Sequence, residues 1–176
     1  MTHHRRRNNG IDPSKINESV ELSPAQRYAA LNQTQAKQRT VAAEFARSMP
    51  FELDEFQMQA NDALEAGDNV LVAAPTGAGK TVAADFAIYL AQTRNVKAFY
   101  TTPIKALSNQ KYHDLVDQYG MDKVGLLTGD TSINSEADIV VMTTEVLRNM
   151  LYEHSVTLEA LRYVILDEVH YLADRF

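Results

Sequence analysis

"NVLVAAPTGAGKTVAADFAIYLA", Asn69 to Ala91, decides the fold. A short apolar run, a turn holding Gly77 and Gly79, and an apolar stretch opening at Lys80 and Thr81 follow one another within it. A strand that delivers a glycine turn to the start of a helix is what a phosphate cradle requires. The glycines let backbone N–H groups turn inward, and the helix presents the positive end of its dipole. The stretch Ala74, Pro75, Thr76, Gly77, Ala78, Gly79, Lys80, Thr81 departs once from G-x-x-x-x-G-K-[ST], since Ala74 stands where the first glycine is expected. In that pattern Lys80 reaches the β- and γ-phosphates of a nucleotide and the Thr81 hydroxyl holds Mg²⁺.

Working outward, short apolar runs recur as "NVLVAA", "KAFYTT", "KVGLLT", "DIVVMTT" and "RYVILD". They are continuous rather than alternating, as strands buried on both faces are. Helical stretches lie between most of them, so the chain from Phe51 onward reads as α/β, built of βαβ units with helices on both faces of a parallel sheet. "LDEFQMQANDALEAG" places Leu53, Phe56, Ala60 and Leu64 on one helical face and stops at Gly67. Residues 1–22 lack periodicity and read as a disordered tail. Ser23 and Pro24 mark the start of a helical extension that runs to about Arg47 and is broken at Ser48–Pro50. Its apolar face, Tyr28, Leu31, Val41 and Phe45, is thin, which suits loose packing or an appendage. The expected organisation is therefore tail 1–22, helical extension 23–50 and nucleotide-binding domain 51–176.

The phosphate loop needs a carboxylate partner at the tip of an apolar strand, and "YVILDE" offers one. Asp167 is placed to hold Mg²⁺ and Glu168 to polarise an attacking water. On spacing alone His170 reads equally as a core histidine.

Composition bounds the partners. The 176 residues are 45% apolar and 23% charged, ordinary for one globular domain, and no cysteine is present, which fits a reducing, cytoplasmic setting. No apolar run approaches the roughly 18 residues of a membrane span. Charge is uneven. Residues 1–50 carry 8 Lys and Arg against 4 Asp and Glu, residues 51–176 carry 9 against 19, and the net is −6. An acidic body gives little long-range attraction to nucleic acid.

Five stretches in order, "APTGAGKT", "TTPIKALSNQK" (Thr101–Lys111), "TGD" (Thr128–Asp130), "TTEVLRNM" (Thr143–Met150) and "DEVH" (Asp167–His170), resemble the superfamily-two DExH-box helicases. The closest resemblance is to the Ski-type DEVH branch of RNA helicases, including its actinobacterial members, over roughly Phe51 to Phe176. It implies a RecA-like P-loop NTPase domain that uses ATP and Mg²⁺. Phe51 then stacks on adenine and Gln57 reads its edge. Pro103, Lys105, Ala106, Leu107, Gly129, Thr144 and Glu145 contact a nucleic-acid backbone, and His170 couples toward a domain interface.

Family members also carry a Ser-Ala-Thr segment, a further strand between the phosphate-loop and DEVH strands, and a second domain with an arginine motif. None is among these residues. The resemblance thus implies a partial first motor domain that needs the remainder for activity. In it "NVLVAA" and "RYVILD" either stand apart or close up and misplace Asp167. A nucleotide-binding module without turnover is the alternative, whereas a P-loop kinase or transporter ATPase has no place for "TTPIKALSNQ".

Overall fold

A computed structural model of the chain describes residues 23–26, 28, 39–158 and 160–171. The tail at 1–22 lies outside them. The chain divides into two compact units, Met1–Arg39 and Thr40–Phe176. In the first, Ser23 opens a helical turn as expected: the Gln26 N–H donates to Ser23 Oγ at 3.3 Å and the Ser23 N–H donates to Gln26 Oε1 at 2.8 Å.

The second unit begins earlier than the sequence suggests. A new helix, α1 (Val41–Ser48), starts after Thr40, whose hydroxyl accepts from the Ala43 N–H. Its Phe45 is 1% exposed and packs against Phe86 and Tyr89 with ring centroids 5.2 and 5.4 Å away. The Val41 and Ala42 N–H groups both donate to the Glu65 carboxylate, at 3.0 and 2.8 Å. The thin apolar face expected of a loose extension is thus a tight contact, and Val41–Ser48 belongs to the body. The next helix, α2 (Glu55–Ala66), ends at Gly67 with φ 95. Leu53, Ala60 and Leu64 of the expected face do turn inward, but Phe56 is only half-buried, and the polar Gln57 and Asn61 are buried beside Ala60.

Helix α3 (Thr81–Thr93), strand β1 (Lys97–Thr102), helix α4 (Lys105–Tyr119), strands β2 (Val124–Leu127), β3 (Ser132–Ile133) and β4 (Ile139–Thr143), helix α5 (Thr144–Tyr152) and strand β5 (Leu161–Leu166) complete the body. The sheet order is β3-β2-β4-β1-β5, parallel except for the β2–β3 pair. Four of the five expected strands form where the apolar runs lie. The two faces separate cleanly: Tyr100, Ile139 and Val141 pack with Tyr112 and Leu115 of α4, while Phe99, Val140 and Met142 pack with Leu147 of α5. Neighbouring residues of one strand point to opposite faces, so helices cover both sides of β1 and β4, as their continuous apolar runs require; β5 instead alternates half-buried with exposed residues.

"NVLVAA" is the correction. Residues 69–74 make no ladder, and among the described residues β5 pairs only with β1. The two segments stand apart across an open slot, with Leu71 80% exposed and Val164 and Leu166 close to half exposed. Apolar character was there; a partner strand to bond with was not.

Candidate functional site

The slot widens into a cavity of about 380 Å³ lined by Ala74, Lys80 and Thr81 from the loop and by Asp167, Glu168 and His170 from the tip of β5. A second cavity of about 650 Å³ continues from it along Val70, Leu71, Val164 and Leu166. The loop and the acidic pair therefore face one space, although the segment before the loop and β5 are not paired.

Within the loop, Gly77 and Gly79 adopt φ 83 and 78, a left-handed backbone that side chains disfavour. Pro75, Thr76 and Gly77 are exposed, and the Ala78 N–H donates to the Pro75 carbonyl at 3.2 Å to close the turn. Lys80 Nζ donates to the Ala74 carbonyl at 2.9 Å, holding its ammonium over the turn. Helix α3 starts at Thr81 with no side-chain cap. Its first N–H groups are thus unclaimed by a capping side chain.

Gln57 reaches the loop from α2. Its Nε2 donates to the Gly79 carbonyl at 3.0 Å, and its Oε1 accepts the Asp54 N–H at 2.8 Å. A primary amide has two donors and two lone pairs, so these two bonds leave one of each unused; Gln57 is 4% exposed and is not among the residues lining the cavity. Phe51 is 51% exposed and lies outside the cavity lining. It is therefore not a core residue.

At the other wall, the Asp167 N–H donates to the Thr101 carbonyl at 2.9 Å, and Asp167 Oδ1 accepts the Glu168 N–H at 2.9 Å. The buried Tyr100 hydroxyl donates to Asp167 Oδ2 at 2.7 Å. Burial first, then that carboxylate, raises the Tyr100 pKa far above the ordinary phenol value. Glu168 has φ 51 and its Oε2 lies 3.2 Å from His170 Nδ1. His170 is exposed, not a core histidine. Among the described residues no group of three or more His, Cys, Asp or Glu side chains is arranged to hold a metal. The donor set here, one hydroxyl and one carboxylate facing a cavity, instead suits a hard cation that takes its other ligands from phosphates and water.

The remaining expected contacts lie at the same end of the sheet. Because β1, β2, β4 and β5 are parallel, Pro103, Gly129, Thr144 and Asp167 all follow the C-terminal ends of their strands, the end where open α/β sheets bind ligands. Helix α4, starting at Lys105, Ala106 and Leu107, and helix α5, starting at Thr144 and Glu145, both lack a side-chain cap. Lys105 Nζ pairs with Asp130 Oδ2, whose Oδ1 accepts the Thr128 hydroxyl at 3.0 Å. The lysine hydrogen bond, then that of Thr128, holds the Asp130 pKa below the usual carboxylate value. Asp130 and Tyr100 were not singled out from sequence. "TGD" pointed to the neighbourhood of the first, but nothing in "KAFYTT" marks the second as more than core.

Comparison with known proteins agrees with this geometry. "Probable helicase HelY" of Mycobacterium tuberculosis (strain ATCC 25618 / H37Rv) is 62% identical over 131 residues, 74% of this chain and 14% of the relative. The "DExH-box ATP-dependent RNA helicase DExH11" of Arabidopsis thaliana is 50% identical over 131 residues, 74% of this chain and 10% of the relative. The chain thus spans a small part of the length of such relatives. Among solved structures, Mycobacterium smegmatis helicase Lhr bound to ssDNA and AMP-PNP superposes with a TM-score of 0.60 at 30% identity, covering 76% of this chain and 20% of that one. Residues 54–176 match the sequence pattern described as DEAD/DEAH box helicase, and the chain belongs to that family.

Proposed function

We propose that this chain is the ATP-binding part of an ATP-dependent nucleic-acid helicase, with RNA favoured over DNA and Mg²⁺ as the cation. One observation carries the reading: Lys80 and Thr81 share a cavity with Asp167 and Glu168, though separated by more than 80 residues of sequence. RNA is favoured because a relative at 50% identity is named an RNA helicase. The structural neighbour holding ssDNA keeps DNA as the competing substrate.

Bound ATP supplies the transferable phosphoryl group and its metal ion neutralises the phosphates. Lys80 leaves the Ala74 carbonyl to meet the β- and γ-phosphates, and the uncapped start of α3 presents its N–H groups to them. Thr81 Oγ and the Asp167 carboxylate would hold the cation, and Glu168 would accept the proton of the attacking water. Gln57 reads adenine with its spare donor and acceptor while Phe51 stacks on the ring. The uncapped starts of α4 and α5, with Pro103, Lys105, Ala106, Leu107, Gly129, Thr144 and Glu145, hold a strand by its backbone; helix N–H donors need no surplus of Lys and Arg. His170, exposed beside Glu168, links the site to the rest of the protein, which is needed for strand translocation and supplies the strand that fills the slot beside β5.

The test is titration of a fluorescent ATP analogue with Mg²⁺ against the parent and Lys80→Ala. Loss of affinity in the variant supports the reading. Equal affinity removes the loop from it.

A further inference from the structure

Asp85 lies on α3 one helical turn after Thr81, and its Oδ1 accepts Lys111 Nζ of α4 at 2.9 Å. The same ammonium stands 4.9 Å from the centroid of the Tyr100 ring, within cation–π range. The Tyr100 hydroxyl in turn donates to Asp167 Oδ2. A continuous chain of contacts, Asp85 to Lys111 to Tyr100 to Asp167, thus joins the helix that begins with Thr81 to the strand tip that carries the acidic pair. No ladder does this work, because residues 69–74 and β5 are not bonded to each other.

We propose that Tyr100 is a positioning residue for the Asp167 carboxylate, braced by Lys111 and Asp85, so that Asp167 stays oriented for a cation held jointly with Thr81. The inference rests on the phosphate-loop reading above. Its physical basis is the freedom of an aspartate at a strand tip. Three contacts remove that freedom: the backbone bond to Thr101, the Glu168 N–H on Oδ1 and the Tyr100 hydroxyl on Oδ2. Each carboxylate oxygen keeps a second lone pair for a metal. Tyr100 is 2% exposed, so a phenylalanine would fill the same space; the hydroxyl matters for what it bonds. Partners that orient a metal ligand change metal affinity by roughly 10- to 100-fold when removed. The lysine contact adds to the core packing that holds the ring.

The experiment uses the full chain and a fluorescent ADP analogue, titrated in Mg²⁺ and again in EDTA. Tyr100→Phe is expected to keep the metal-free affinity of the parent and to need roughly 10-fold more Mg²⁺ to reach the metal-dependent affinity. Lys111→Met should raise the Mg²⁺ requirement by a smaller factor, and Lys111→Arg, which keeps both the ion pair and the ring contact, should restore it. An unchanged Mg²⁺ requirement in Tyr100→Phe and Lys111→Met overturns the proposal while leaving the phosphate-loop reading intact. A parent that binds no nucleotide overturns that reading instead. The brace is then decided by melting temperatures of Tyr100→Phe, Asp167→Ala and the double variant: a double shift smaller than the two single shifts together supports it, and additive shifts overturn it.

Discussion

The side-chain amide of Gln57 is bonded to the carbonyl of Gly79, 22 residues along the chain, and this contact ties α2 to the phosphate loop. A Cβ placed on Gly79 would sit 2.5 Å from Gln57 Nε2, and the φ of 78 there already disfavours any side chain. Gly79→Ala should therefore cost about 1–2 kcal/mol in backbone strain and also dislodge the amide. The expected outcome is a lower melting temperature together with a loss of ATP-analogue affinity. A variant that matches the parent in both would show that the loop tolerates the displacement.

In the proposed function Gln57 also carries the base preference. A site that pairs both ends of an amide with adenine leaves buried polar atoms unmatched against guanine, at about 1–3 kcal/mol each. ATP is thus expected to compete better than GTP for the parent, and Gln57→Ala to bring the two closer. Equal competition by ATP and GTP against the unmodified chain would remove Gln57 from recognition.

Glu168→Gln keeps the shape of the side chain and removes its basicity. In the protein that contains this chain and its remaining domains, nucleotide affinity should persist while turnover falls by at least about 10². ATPase activity and analogue binding measured side by side settle the assignment; near-normal turnover would move the base elsewhere.

Phe45 anchors α1 between Phe86 and Tyr89. Phe45→Ala should cost about 3–5 kcal/mol, the usual penalty for emptying a buried aromatic site. A chain starting at residue 40 should melt near the parent and one starting at residue 51 well below it, because the second loses both Phe45 and the N–H donors that Glu65 holds. Equal melting temperatures for the two would return α1 to the status of an appendage.

Lys105, at the start of α4, is paired with Asp130, and in the proposed function it meets a strand's phosphates. Lys105→Ala should weaken binding of any nucleic-acid sequence alike and reduce the slope of log affinity against log salt by about 1. A sequence-dependent loss would assign this lysine to base contact instead.

Much of this was legible in the residues. "KAFYTT", "DIVVMTT" and "RYVILD" became β1, β4 and β5 because a run apolar on both faces has few other places to go. The turn at Gly77 and Gly79 followed from glycine's access to positive φ. Other features were not legible for physical reasons. Two-residue β3 is too short to show a period. Thr40 as the cap of α1 was masked by an Ala- and Gln-rich stretch that favours helix on either side of it. Gln57 is buried in α2 because it finds the Gly79 carbonyl, a tertiary contact that satisfies a polar side chain taken out of water. "NVLVAA" shows the converse, since β-propensity without a neighbour's hydrogen bonds does not make a strand.

The slot beside β5 should also leave a record in time as well as in space. In a parallel ladder successive N–H groups point to opposite neighbours, and the Asp167 N–H points to β1. Val164 and Leu166 then point theirs into the slot, whereas Ile165 points back to β1. Amide hydrogen exchange along β5 should therefore alternate residue by residue, quick at Val164 and Leu166 and slow at Ile165 and Asp167. Any partner that completes the sheet should erase that alternation before it changes the exchange of β1 or β4.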